Sequence, residues 1–493
     1  MKKFSYFISF LFIIVFLSSC VSVNVEEQFI TVVDSSIYYN DTIRSIIGPD
    51  TVYISPYYIA KQEEMPWAYL LLKIYSVYQD KVPEDYVYYI DARKMYETIG
   101  DPFTFYVPYY MLEDYLSWFE VEQSKLFGIQ VGVYNDTVFV VKVLPNSPAD
   151  LSGLKSGDKI LEVNGYPVKG DLSLFQFLTQ DDDIDYSFVI KRDNIIDTID
   201  IYKDLYSIPV CYSDSITPDI GYIYLSTFIA DSQTDGGSTS EQLKKALEET
   251  EKFKVVILDL RGNPGGYITE AQNSASLFLD PGDTIIKEVY RDYDTTSYTE
   301  IKGVWGESYL TAPDSPETGL FKDRKIVLLA DGGTASASEI LITALRYNKG
   351  YPLVGQTTYG KGIGQGSFIN DLLHSAAHIT MIKLYTPAGD SYHQVGIEPD
   401  YPVDSLYDNF QDLELLTAIK VADSIVKAES GVLAKLSSTS ITEDPWINLK
   451  VEGINYFNSL YKRLSPKKIA ELGFLKVPDI LDPINLSKIE SLK

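Results

Sequence analysis

Twice in this chain a short run of residues, apolar on both faces, passes through a glycine-bearing turn into a helical pattern. Val255-Val256-Ile257-Leu258-Asp259-Leu260 leads into Arg261-Gly262-Asn263-Pro264-Gly265-Gly266, and the pattern predicts a helix over residues 269–278. Ile326-Val327-Leu328-Leu329 leads into Asp331-Gly332-Gly333-Thr334-Ala335-Ser336-Ala337-Ser338-Glu339, with a helix predicted over 337–346. A strand with no polar face must be covered on both sides, the condition of an inner strand in an α/β sheet. Such sheets gather loops at the carboxyl ends of their strands, and sites form there. The fold class is therefore α/β (α+β) and multidomain. It has a core of central sheet and flanking helices, an inserted β-rich module, and helical N-terminal and C-terminal regions. A chain of 493 residues predicts roughly two to four domains.

The N-terminus reads as an export signal. Lys2 and Lys3 precede an apolar run over residues 4–16, too short for a membrane span. It ends in Leu17-Ser18-Ser19-Cys20, which resembles the lipobox of bacterial lipoproteins. That resemblance implies removal of residues 1–19, lipidation of Cys20, and a protein held to the bacterial cell envelope by lipid rather than by a helix. Cys211 is the one other cysteine, so a disulfide within the mature chain is excluded if Cys20 is lipidated. Two cysteines and three histidines (His374, His378, His393) are a poor supply of metal ligands, and no metal or other cofactor is expected. The 69 acidic residues outnumber the 42 basic ones, which argues against nucleic acid as a partner. The sequence leaves oligomeric state open.

Along the chain, residues 20–117 form a tether and a helical region, with helical spacing through Trp67, Leu70, Leu71, Ile74 and Tyr78. Asp101-Pro102-Phe103-Thr104 then breaks that pattern. Residues 118–205 are a separate module. Phe127-Gly128-Ile129-Gln130-Val131 opens a strand after a glycine turn, and a second strand covers residues 137–144. Then comes Gly153-Leu154-Lys155-Ser156-Gly157-Asp158-Lys159-Ile160-Leu161-Glu162-Val163-Asn164-Gly165. A short helix over 171–178 and a strand pair turning at Asp193-Asn194 complete it. This order resembles a PDZ domain. The resemblance implies a groove beside residues 127–131 in which an extended peptide adds to the strand edge, its terminal carboxylate held by backbone N–H groups. The alternative is a PDZ fold used as a spacer or lid. Residues 206–405 form the α/β core and residues 406–493 a helical extension. In that extension Leu415, Ile419, Ala422 and Val426 make one apolar stripe suited to core packing.

Ser336 follows a buried strand and precedes a helix, whose free N–H groups and positive dipole end favour an anion beside it. Serine there is also a common N-cap. Downstream lies Tyr359-Gly360-Lys361-Gly362-Ile363-Gly364-Gln365. A lysine between two glycines sits where backbone can approach another loop. A serine hydroxyl needs a base, and a lysine amine held neutral by burial can serve. The alternative is a solvated surface lysine. In an extended segment Lys361, Ile363 and Gln365 share one face, so Gln365 is placed to orient the amine. Gly265 and Gly266, with the N–H of Ala337, are placed to form an oxyanion hole.

The PDZ-like module, Asp259-Leu260-Arg261-Gly262-Asn263-Pro264-Gly265-Gly266, Ala335-Ser336-Ala337-Ser338-Glu339 and Gly360-Lys361-Gly362-Ile363-Gly364-Gln365 occur in this order. So arranged, over residues 100–405, the chain resembles the carboxyl-terminal processing (tail-specific) serine proteases. Tyr385-Thr386-Pro387-Ala388-Gly389 and Gly396-Ile397-Glu398-Pro399-Asp400 are similar to that family's closing segments. The resemblance implies Ser336 as nucleophile, Lys361 as general base and Gln365 as orienter. It also implies peptide hydrolysis through an acyl-enzyme and protein or peptide substrates, without metal or nucleotide. Asp390 stands where the family often has a basic residue, and Asp331-Gly332-Gly333-Thr334 opens the serine segment in a less usual way. A catalytically silent envelope lipoprotein that binds peptide or glycan is the alternative from another class. A Ser–His–Asp arrangement finds little support, because none of the three histidines has a serine partner legible in sequence.

Overall fold

The computed structural model describes residues 43–429 apart from residues 48–49, 55, 118–123, 207, 231–235, 295–302, 404–405 and 409. The expected signal segment, Cys20 and the chain beyond 429 lie outside the described residues. The chain divides into two units, residues 1–67 and 68–493. In the first, Ile43–Ile47 and Asp50–Ile54 pair as an antiparallel hairpin, and the helix Pro56–Tyr75 begins. Among the described residues no helix is long and apolar enough to cross a membrane.

The second unit is built on a sheet ordered Cys211–Ser215, Ile220–Leu225, Val255–Asp259, Lys325–Ala330, Leu353–Gly355, Tyr401–Pro402. The first pair is antiparallel and the others parallel. Every residue of Val255–Asp259 is buried, as its lack of a polar face requires. One side of the sheet is covered by the helices Thr239–Glu249, Ile268–Ser276 and Ala337–Lys349. There Leu243, Leu247, Ala271, Ile340 and Leu341 meet Ile223, Val256, Leu258, Ile326 and Leu328. The other side is covered by the helix Leu413–Glu429, whose Ala418, Val421, Ala422 and Val426 pack on Ile220, Val255, Ile257, Val327 and Leu329. The segment read as an extension beyond 405 thus supplies one layer of the core, because both faces of an all-apolar sheet must be dry.

A second sheet is ordered Gly303–Thr311, Thr284–Tyr293, Ser375–Tyr385, Ile363–Asn370, and Phe105–Val107 pairs with Ser375–Tyr385 as well. Residues near 105, read as part of the N-terminal region, are therefore stitched into the core. The helical reading of the preceding stretch holds for Pro56–Tyr75 and Ala92–Glu97, with turns between.

The inserted module is a sheet ordered Ile195–Tyr202, Asp185–Arg192, Lys159–Val163, Thr137–Val143, Ile129–Tyr134, with the helix Leu172–Leu178. The hairpin turns at Asp193, which takes φ 54°, as the Asp-Asn turn anticipates. Tyr407 fills a notch where a Cβ on Gly132 would stand 2.7 Å from its ring, and Phe410 meets Tyr134 and Phe139 edge-on. Lys142 reaches from the module to the core: its Nζ donates to Tyr222 Oη (2.9 Å) and lies 3.4 Å from the centre of the Tyr224 ring. Beside it Arg261 bonds to Asp259 (2.8 Å), Asp412 (2.7 Å) and Glu414 (3.1 Å), all largely buried.

Removing the cation of a buried ion cluster leaves uncompensated charge and costs roughly 3–5 kcal/mol. Arg261→Met should therefore lower the urea midpoint of the second unit by a matching amount. An unchanged midpoint would mean that this cluster does not hold the turn, module and C-terminal segment together.

Candidate active site

Ser336 stands where the strand Lys325–Ala330 gives way to the helix Ala337–Lys349. The turn between them is bound to its neighbour from both sides. Thr334 Oγ1 donates to Leu260 O (2.9 Å), and Asp331 Oδ1 accepts from the N–H groups of Gly262 (2.8 Å) and Gly333 (3.0 Å). Asn263 O accepts from Ala335 N–H and from Ser338 Oγ, each at 3.0 Å. These bonds hold Ser336 at φ 57°, ψ −117°, a conformation that costs a non-glycine residue about 1–3 kcal/mol and persists only when its surroundings impose it. Ser336 is buried at the N-cap of a 13-residue helix.

Glu339, one turn into that helix, is fully buried. Its Oε2 accepts from the N–H of Ser336 (2.8 Å) and the N–H of Lys361 (2.8 Å). Its Oε1 accepts from Thr358 Oγ1 (2.6 Å) and the N–H of Gly360 (2.7 Å). One carboxylate thus bonds both loops that the sequence singles out, and the backbone nitrogens of Ser336 and Lys361 lie no farther apart than two hydrogen bonds. Burial raises the Glu339 carboxyl above its ordinary value, and its four donors oppose that rise. Sequence reading quoted Glu339 without giving it a role; its position as third residue of the helix was the available signal.

Lys361 is 3% exposed, so the solvated reading does not hold. Its flanking glycines are required by close packing. A Cβ on Gly360 would stand 2.7 Å from Gly396 N, and one on Gly362 3.1 Å from His393 Cβ. Burial lowers the Lys361 amine to about 7, against the opposing charges of Asp101 and Glu339. Moving an amine from 10.5 to about 7 disfavours its protonated form by about 5 kcal/mol.

Gln365 lies two residues beyond Ile363, just past an irregularity in the ladder, and its Nε2 donates to Thr380 Oγ1 (3.2 Å) on the paired strand. Thr380 Oγ1 in turn donates to Asp101 Oδ2 (2.6 Å). Two pairs further along, Ser367 Oγ and His378 Nδ1 meet at 2.9 Å, with Tyr115 Oη 2.6 Å from Ser367 Oγ. His378 does therefore have a serine partner, which strand pairing rather than sequence proximity supplies. Desolvation, with Lys361 adding to it, pushes that imidazole down to about 3, so it is a weak base at neutral pH.

At the other side of Ser336, a Cβ on Gly265 would stand 2.7 Å from Ser336 Cβ and 2.8 Å from Ala337 N. The N–H of Gly265 donates to Asn263 Oδ1 (2.9 Å), so it is already engaged. Among the described residues the N–H groups of Gly266 and Ala337 have no acceptor; Ala337 opens the helix, where N–H groups go unpaired. In the module, Phe127, Ile129 and Val131 point into its core beside Phe175 and Phe188. Gly128 takes φ 76°, and a Cβ there would overlap Ser147 at 2.2 Å. Gln130 lines the cleft that the module shares with Tyr224, Asp259 and Arg261. Ile129–Tyr134 ends the sheet, so its outer edge carries no strand among the described residues.

Residues 219–403 match the family model of Peptidase family S41 and residues 119–173 that of the PDZ domain. Residues 219–403 are thus similar to peptidase family S41, a serine protease family, with a PDZ-like segment ahead of them. It is 29% identical over 388 residues to the carboxy-terminal processing protease CtpA of Bacillus subtilis, covering 75% of this chain and 77% of that one. To CtpB of the same organism it is 28% identical over 359 residues, or 66% of each chain. A solved Bacteroides fragilis structure named "Putative S41 protease" shares the fold, with a TM-score of 0.54 at 17% identity over 74% of this chain and 97% of that one.

Glu339→Ala would leave buried N–H groups of Ser336, Gly360 and Lys361 without their acceptor. At about 1–3 kcal/mol for each group, it should destabilise the second unit measurably in denaturant. It should also abolish any activity that needs both loops. A variant with wild-type stability would remove Glu339 as their tie.

Proposed function

We propose that this chain is a serine endopeptidase of the bacterial cell envelope, lipid-anchored through Cys20, that cleaves exported proteins or peptides by a Ser336–Lys361 dyad. The carrying observation is the Glu339 carboxylate, which bonds the backbone of Ser336 and of Lys361 while Lys361 is buried. In this reading Ser336 Oγ attacks the scissile carbonyl carbon as Lys361 Nζ takes its proton. The negative oxygen that forms is met by the N–H groups of Gly266 and Ala337, and the helix dipole adds to their effect. Gly265 serves by lacking a side chain against Ser336 rather than by donating. The ammonium of Lys361 then gives its proton to the departing amine as the C–N bond breaks. A water, deprotonated by the again neutral Lys361, attacks the ester carbonyl, and Ser336 recovers its proton as the acid product leaves. Gln365, its Nε2 spent on Thr380, has its amide oxygen left to orient the amine.

The module supplies the tail site. Its terminal strand Ile129–Tyr134 offers backbone to an extended peptide, and the turn at Gly128 offers N–H groups to a carboxylate. Phe127, Ile129 and Val131 shape that site from below, since their side chains belong to the module's core.

Cleavage of an unstructured protein substrate should fall by at least roughly 10³-fold in Ser336→Ala and in Lys361→Met. Equal rates in wild type and Ser336→Ala would sink the proposal. The base must be neutral, so kcat/KM should rise with pH through a midpoint at about 7 and stay high above it. A rate flat from pH 5 to 9 would exclude Lys361 as base. Cys20→Ser should leave the expressed protein unlabelled by radioactive palmitate, and continued labelling would rule out that anchor site.

A further inference from the structure

Asp101-Pro102-Phe103-Thr104, legible in sequence as a break in a helical pattern, is folded against the lysine. The proline disfavours helix at the residue before it, and Asp101 Oδ1 accepts from Phe103 N–H (3.2 Å), closing a tight turn. Thr104 N–H donates to Asp101 O (3.0 Å), so the turn is bonded twice. Its position on the core is then fixed by Thr380. Thr380 N–H donates to Thr104 Oγ1 (3.0 Å), and Asp101 Oδ2 accepts from both Thr380 Oγ1 (2.6 Å) and Thr104 Oγ1 (2.7 Å). The turn presents the Phe103 ring to the amine: Lys361 Nζ lies 4.5 Å from its centre. Gln365, Thr380 and Asp101 form one hydrogen-bonded line running from the strand that follows Lys361 to this turn.

We propose that residues 101–104 are a roof over the catalytic lysine, in which Phe103 keeps water from Nζ and Asp101, through Thr380 and Gln365, positions the amine. This rests on the reading of Lys361 as general base and adds two positioning residues to it. The two act on the amine in opposite senses. Water exclusion disfavours the ammonium form strongly enough to bring the amine from 10.5 to about 7. That outweighs the weaker attraction of the ring's face, 4.5 Å away, for the cation. The Asp101 carboxylate favours the ammonium form. Lys361 is otherwise faced by Glu339 from the serine helix, His378 from the neighbouring strand and His393 from the loop beside Gly362. Burial lowers both imidazoles, so they stay uncharged at neutral pH, and the four donors to Glu339 suit a carboxylate. Asp101 and Phe103 are therefore the groups whose replacement should move the midpoint in opposite directions.

The test is the pH profile of kcat/KM for full-length wild type, Phe103→Ala, Phe103→Leu and Asp101→Asn. It is paired with an NMR titration of the Lys361 amine in Ser336→Ala protein, the signal being assigned by its loss in Lys361→Met. Phe103→Ala should raise the acid-limb midpoint by roughly one pH unit or more, and Phe103→Leu should restore most of the shift. If Phe103→Ala does not fold, Phe103→Gln, polar and of similar reach, should give the same upward shift. Asp101→Asn should lower the midpoint and reduce kcat about tenfold with KM nearly unchanged, since its effect falls on the amine rather than on substrate binding. Midpoints equal to wild type in both variants, with the amine titrating near 7, would overturn the roof and leave the dyad standing. Shifts in the same direction would reduce the segment to general packing and overturn it too. An amine still charged at pH 9 in Ser336→Ala protein would end the dyad reading, and the roof with it.

Discussion

The site depends on one buried carboxylate. Glu339 accepts four hydrogen bonds, from Ser336, Thr358, Gly360 and Lys361, and so fixes the serine turn and the lysine loop to one point. A carboxylate has two acceptor oxygens and can take all four donors, whereas an amide has one and could take about two, and in a dry site each unsatisfied donor would be costly. The same bonds help hold Ser336 in its left-handed conformation, which the residue would not adopt alone.

Around that point the protein works against ordinary solution preferences. An amine at about 7 and a serine at positive φ each stand several kcal/mol or less from what water would allow, and both are met by packing. Gly360 and Gly362 let the loop carrying His393 pass close enough to seal Lys361, and Gly265 lets its turn lie against Ser336. Side chains were removed at these positions so that backbone could approach, which is why the surrounding sequence reads as glycine-rich.

The PDZ domain is joined to this site by charge as well as by contact. Arg261 begins the turn that ends in Gly265 and Gly266, and it is clamped by Asp259, Asp412 and Glu414. Lys142 enters the same cluster from the PDZ sheet, between the rings of Tyr222 and Tyr224. Burial lowers the Lys142 amine to about 8 and raises Glu414 to about 8. The turn that presents the Gly266 N–H is therefore in mechanical continuity with the PDZ domain and with the C-terminal segment through Tyr407.

Much of this was written in local sequence. The inner strands and the PDZ pattern could be read because they depend on periodicity, glycine placement and short spacings, and the same cues singled out Ser336, Lys361 and Gln365 as candidates. Local sequence could not yield what rests on long-range pairing. The engagement of Gly265 N–H with Asn263 is a backbone geometry. The Ser367–His378 pair arises from strand register, and the turn at Asp101 meets Thr380 from 279 positions away in the chain. The helix Leu413–Glu429 showed its apolar stripe in sequence, but the face it covers was set by the sheet's need for a second dry side. Sequence alone determined which side chains are available to the proposed chemistry, since residue type fixes what can attack, accept a proton or leave room. Tertiary structure decided whether that chemistry is poised, because desolvation of Lys361 and the shared bonds of Glu339 exist only once segments far apart in the chain exclude water together.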